Sequence, residues 1–111
     1  MSTIFEVLAE PKRRQILELL RTREHSVGEL VEALDLSQPA VSKHLRVLKQ
    51  AGLVEVQVDA QRRLYTLRAE PLKEVDAWLT AYRRLWEDHF DRLDDYLRTL
   101  QSGAAQPPPA A

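Results

Sequence analysis

The chain contains no cysteine. Disulfides, thiolate metal sites and redox sensing through thiols are therefore excluded. No apolar run approaches bilayer-spanning length, and the first residues lack the apolar core of a secretion signal, so a cytoplasmic protein with no membrane partner is expected. Only three glycines occur, and they build no phosphate-cradling loop. Paired carboxylates with a supporting framework are missing, as is a nucleophile beside a histidine in a recognisable setting. Ser42 and His44 stand two apart on one helix, so they project from diverging faces. An enzyme is not expected, nor a resident cofactor. Charge of one sign is lacking too: 16 Lys and Arg meet 17 Asp and Glu, for a formal net charge of −1.

The distribution of that charge says more than its sum. From Ser37 to Arg68 six cations face two anions, whereas from Pro71 onward five face seven. A basic half suits phosphate and an acidic half is kept away from it. At 111 residues the chain makes one domain with a modest core, the size at which a partner subunit often completes the interior.

The chain is organised around Leu34–Gly52. Ser37 can cap a helix, Pro39 is tolerated in its first turn, and Gly52 readily takes the left-handed turn past its end. Val41, Leu45 and Leu48 recur at helical spacing as a narrow buried stripe. Roughly opposite lie Pro39, Ser42, Lys43, Arg46 and Gln50, flanked by Gln38 and Lys49, with no carboxylate among them. Lys and Arg suit phosphates and guanine edges, and Gln and Ser suit base edges.

The flanking segments supply a frame. Ser2 can cap a short first helix through Ile4, Phe5, Val7 and Leu8, and Pro11 opens a second one carrying Ile16, Leu17, Leu19 and Leu20 inward. Lys12, Arg13 and Arg14 sit in its first turn, where cations oppose the helix dipole; a solvated surface is the expected role, a backbone-phosphate contact the alternative. Ser26 and Glu29 fit a capping box for a third helix, and Asp35-Leu36-Ser37 turns it sharply into the fourth, a helix-turn-helix. His25 falls in a loop and carries no signal; His44, on the inner flank of the fourth helix, is expected to be structural or a phosphate neighbour.

After Gly52 the period changes to that of strands, Leu53–Val58 and Leu64–Leu67, joined by Asp59-Ala60-Gln61-Arg62. A hairpin with Arg62 and Arg63 near its tip is a wing that can lie on phosphates; the two arginines could equally guard a β-edge. Pro71 starts a last helix to about Leu100, in which Leu72, Val75, Leu79, Tyr82, Trp86, His89, Leu93, Tyr96 and Leu100 alternate three and four apart. Trp78, Leu85, Phe90 and Leu97 widen this seam beyond what one small domain needs, which points to a dimer. The expected organisation is a domain over 1–100 and a disordered Pro/Ala-rich tail over 101–111.

The run Leu-Ser-Gln-Pro-Ala-Val-Ser-Lys-His-Leu-Arg-Val-Leu-Lys-Gln-Ala-Gly-Leu-Val (36–54) resembles the recognition-helix signature of the ArsR family of bacterial transcriptional repressors. So do residues 8–17, Leu-Ala-Glu-Pro-Lys-Arg-Arg-Gln-Ile-Leu, and the wing ending in Arg62-Arg63-Leu64-Tyr65. The resemblance covers about residues 3–98, and Trp78 to Leu97 looks most like the cysteine-free, autorepressor-type branch. It implies a mainly α fold with a small β-hairpin, a winged helix-turn-helix of order α-α-α-α-β-β-α that forms a homodimer through its first and last helices. The implied DNA-binding positions are Ser37, Gln38, Pro39, Ala40, Ser42, Lys43 and Arg46, with Arg62 and Arg63 on the wing. The dimer interface would use Ile4, Phe5, Leu8, Leu79, Tyr82, Trp86, His89, Phe90, Leu93 and Leu97.

The departures from the family pattern bear on sensing. Family members that detect arsenite or soft metals use thiolates, absent here, and others bind zinc or nickel through several His and carboxylate ligands. The last helix offers His89 with Asp88 and Asp91 and no second histidine, so no metal site is assigned. The expected function is a sequence-specific, DNA-binding transcriptional regulator: a homodimeric repressor on a pseudo-palindromic operator, its own promoter among the candidates, with an effector the residues do not name. The alternative is a winged-helix module whose partner is another protein, which would show no salt-sensitive duplex affinity.

Overall fold

A computed structural model describes residues 3–101. The elements follow the order α1 (Ile4–Ala9), α2 (Pro11–Thr22), β1 (His25–Ser26), α3 (Val27–Leu34), α4 (Gln38–Gln50), β2 (Val54–Asp59), β3 (Arg62–Leu67) and α5 (Leu72–Gln101). The four helices, hairpin and long last helix anticipated from the sequence are present, with one addition, the two-residue strand β1. The chain forms two compact units, one ending at Val75 and the other beginning at Asp76. Gln101, assigned above to the tail, is instead the last residue of α5; the rest of that tail, 102–111, lies outside the described residues.

Each helix of the first unit starts on a side-chain acceptor. Thr3 caps α1, its hydroxyl accepting from the Glu6 amide at 3.1 Å; Ser2, the expected cap, lies outside the described residues. The Glu10 carboxylate accepts from the Lys12 amide at the start of α2, with Pro11 following it. Ser26 and Glu29 form the reciprocal capping box of α3, at 3.2 and 3.0 Å. The α3–α4 turn is made by Asp35 in the left-handed region, φ 52°, which a short polar side chain tolerates better than most.

The end of α4 shows why Gly52 stands there. Its φ is 77°, its amide donates to the Lys49 carbonyl, and the Leu53 amide donates back to the Leu48 carbonyl, each at 3.0 Å. This pair of bonds closes the helix and reverses the chain. Leu53 is therefore part of the turn rather than of the strand, and its fully buried side chain fastens that turn to the core. Ile16, Leu20, Leu30, Val41, Leu45, Leu48, Leu53 and Val54 form the centre of this core, so α2, α3, α4 and β2 share one apolar interior. Ile4, expected at a subunit interface, is only 7% exposed and belongs to the same cluster; Leu8 packs on its edge, and Phe5 is exposed. A helix of six residues has too few internal bonds to persist alone, so α1 uses Ile4 and Val7 as anchors.

The sheet has the order β1-β3-β2, all antiparallel. β3 is the middle strand: His25 lies opposite Tyr65 and Ser26 opposite Leu64 on one side, while Val58 pairs with Arg63 and Asp59 with Arg62 on the other. His25 is thus not a loop residue. It is 5% exposed, and its Nδ1 lies 2.9 Å from the Arg23 carbonyl, so that nitrogen carries the proton and donates.

Leu72 and Val75, at the start of α5, pack on the core of the first unit, and Pro71 sits in the turn before the helix. The second unit consists of the remainder of α5, in which no described residue is buried. Trp78, Tyr82, Leu85, Trp86, Phe90, Leu93, Leu97 and Leu100 are all exposed large apolar side chains. The Trp78 and Tyr82 rings, one helical turn apart, meet at 5.0 Å between centroids. Among the described residues no helix is long and apolar enough to cross a membrane.

Candidate nucleic-acid interface

The candidate reading surface is the outer face of α4. Ser37 begins it, its hydroxyl accepting from the Ala40 amide at 3.3 Å, and Pro39 takes a first-turn position where a missing donor costs nothing. Val41, Leu45 and Leu48 are buried, and this fixes the rotation of the helix. Ser37, Gln38, Pro39, Lys43, Arg46, Lys49 and Gln50 are consequently exposed, with Ala40 and Ser42 partly so. Val27, Gln38, Ser42, Leu45, Arg46, Lys49, Arg63 and Tyr65 line a shallow groove between this helix and the wing.

The cations of this surface differ from the other arginines of the first unit in that their side chains have no partner among the described residues. Arg21 pairs with Glu18, Arg23 and Arg62 with Glu29, and Arg68 with Glu55 and Glu70. Arg13 and Arg14 donate to the Val7 and Leu8 carbonyls at 3.3 and 2.6 Å, closing the open end of α1. Lys43, Arg46, Lys49 and Arg63 form no ion pair or hydrogen bond among the described residues. Arg46, Lys49 and Arg63 unpaired around one groove, with Lys43 exposed on the same helix and hydroxyl and amide groups between them, make a surface for a polyanion with readable edges.

The structure separates the two wing arginines. Neighbours on a strand point to opposite faces, and here Arg63 shares a face with Val58 and Tyr65 whereas Arg62 shares one with Asp59 and Leu64. Arg63 lines the groove beside α4. Arg62 reaches back to the start of α3, its Nη2 lying 3.3 Å from Glu29 Oε1. The turn between the strands is made by Ala60 with φ 57°, a left-handed conformation that costs an alanine about 1–2 kcal/mol.

Two titrating groups flank the reading helix. Glu29 is held at about 2, well below the ordinary carboxylate value, first by the Ser26 amide and then by the Arg23 guanidinium. His44 is half-buried on the inner flank of α4, and loss of hydration, with the Arg13 charge nearby, lowers its pKa. The ring, with the Glu10 and Arg13 charges near it, is not part of the exposed face. On α5, His89 stands exposed with its ring edge toward Phe90. Sequence reasoning missed the second role of Glu29 and the place of Tyr65 and Val27 in the groove, since these partners are far apart in the chain and share no local pattern.

Comparison with known proteins agrees with this geometry. Residues 10–56, which hold α2 to the start of β2, match the family described as bacterial regulatory protein, arsR family. The transcriptional repressor SdpR of Bacillus subtilis is 32% identical over 79 residues, 71% of this chain and 88% of that one. The transcriptional activator HlyU of Vibrio cholerae is 41% identical over 83 residues, 75% of this chain and 74% of its own. A crystal structure of an ArsR family transcriptional regulator superimposes with a TM-score of 0.66 at 33% identity, covering 76% of this chain and 87% of that one. With its helix-turn-helix, its wing and an unpaired cationic reading face, the chain belongs to the ArsR family, as a DNA-binding transcriptional regulator and not an enzyme.

Proposed function

We propose that this regulator is a homodimeric repressor in which each protomer lays α4 in a major groove of a pseudo-palindromic operator. The observation that carries the reading is the set Arg46, Lys49 and Arg63, left unpaired around one groove, with Lys43 exposed and unpaired on the same helix. Lys43 and Arg46 supply phosphate attraction or guanine recognition, and Ser37, Gln38, Pro39, Ala40 and Ser42 shape the approach to the bases. Two-fold pairing is supported by the second unit, whose apolar stripe of Tyr82, Trp86, Phe90, Leu93 and Leu97 is exposed in a single chain. The repressor sense follows the name of the Bacillus subtilis relative.

Binding-site selection from a genomic duplex pool tests operator and symmetry together. The expected product is an inverted repeat with half-site centres about 34 Å, one helical turn, apart. Sedimentation of the wild type should give a dimer, and Phe90→Glu a monomer with lost operator affinity. A single unrepeated site, or a wild-type monomer at micromolar concentration, refutes the dimeric reading. Loss of a promoter reporter's repression on deleting the chain's gene fixes the sign; reduced reporter output would make it an activator.

A further inference from the structure

The Glu29 carboxylate serves three parts of the first unit at once. Oε1 accepts from the Ser26 amide at 3.0 Å, which caps α3, and lies 3.3 Å from the Arg62 guanidinium on the wing. Oε2 lies 2.9 Å from Arg23, in the segment leading to β1. Arg62 and Glu29 are 33 residues apart in the chain, so this contact ties the wing to the first helix of the helix-turn-helix. Arg63, the next residue, faces the other way, into the groove beside α4, and has no partner among the described residues. Val58, 72% exposed, shares its face.

We propose that Glu29 is a positioning residue for DNA binding: through Arg62 it sets the wing, and Arg63 alone supplies the wing's phosphate contact. The inference rests on the DNA-binding reading above. A strand cannot present two successive side chains to one surface, so the wing has a DNA side, with Arg63 and Val58, and a protein side, with Arg62. If Arg62 turned to a phosphate, the link between wing and α3 would be lost as the contact formed. Removing Arg62 and removing Arg63 therefore leave different signatures, although both delete one positive charge.

The test is fluorescence anisotropy of the full chain with a labelled random-sequence duplex over a range of salt concentrations. Arg63→Ala should reduce the steepness of log affinity against log salt by about 0.9 for each protomer. Arg62→Ala and Glu29→Gln should leave that slope unchanged and weaken binding by about two- to five-fold, the scale of an exposed ion pair. Glutamine keeps an acceptor for the Ser26 amide, so the cap of α3 survives. The double variant should bind no more weakly than either single one, and Arg62→Lys should restore wild-type affinity. A slope lowered as much by Arg62→Ala as by Arg63→Ala would place Arg62 on a phosphate and overturn the proposal. Tighter binding by Glu29→Gln would overturn it as well, by making Glu29 a restraint on a DNA cation. A wild type without duplex affinity at low salt would instead overturn the DNA-binding reading itself, and this proposal with it.

Discussion

The four unpaired cations of α4 and the wing allow the salt dependence of binding to be worked out in advance. In the proposed dimer each chain brings Lys43, Arg46, Lys49 and Arg63, with no intramolecular ion pair to break among the described residues. Each neutralised phosphate releases about 0.9 counterions, so a dimer using all of them should show a slope near −7. Raising salt from about 50 to 200 mM then weakens binding by roughly four orders of magnitude. Arg46→Ala removes one cation per protomer and should bring the slope to about −5.4, so the same rise in salt costs about twelve-fold less. If Arg46 meets a guanine rather than a phosphate, the slope changes less, and discrimination at one base pair falls by about 1–3 kcal/mol. Anisotropy with the selected operator and with a scrambled duplex separates the two cases. A wild-type slope shallower than about −3, or an Arg46→Ala protein indistinguishable from wild type on both duplexes, would refute the assignment of this face.

Other measurements probe the scaffold. Leu45 is 1% exposed at the centre of the core, so Leu45→Ala should cost about 2–5 kcal/mol in urea unfolding; a loss below about 1 kcal/mol would mean the helix is rotated from the orientation described. Ala60→Gly relieves the left-handed strain of the wing turn at a smaller entropic cost, and should raise stability by about 0.5–1 kcal/mol in thermal unfolding. A destabilised Ala60→Gly protein would rule out the turn geometry. Glu29 has its folded-state pKa depressed to about 2 from 4.5, so its stabilising contribution is complete above the higher value and disappears as pH falls through the lower one. Acid titration of Glu29→Gln should accordingly show a flatter decline of stability than wild type across that window, and superimposable curves would contradict the hydrogen bonding described.

Much of the fold is legible in single residues because their causes are local. Ser26 with Glu29, Ser37 with Pro39, and Gly52 each mark a helix boundary through bonds spanning three to five residues, and the structure shows those bonds. The buried face of α4 follows from spacing alone, since Val41, Leu45 and Leu48 leave one rotation. Strand β1 was not legible, because two residues are too few to show a period and His25 is paired with Tyr65, 40 positions on. The same reason hid the different neighbours of Arg62 and Arg63. Their positions at the hairpin were readable, but their partners are fixed by which face of β3 meets α3 and which meets the groove. The place of Ile4 in the core was not legible, because a six-residue helix gives too little periodicity to tell a core anchor from an interface residue.

The middle place of β3 carries a consequence for the partner molecule. Bonded on one flank to the strand that precedes α3 and on the other to the outer strand of the wing, β3 leaves the base of the hairpin no hinge. Little ordering entropy is then lost on contact, and little induced fit is offered. Accommodation falls to the duplex, so base steps that bend or narrow cheaply beside the contacted groove should be favoured even where no side chain reaches them.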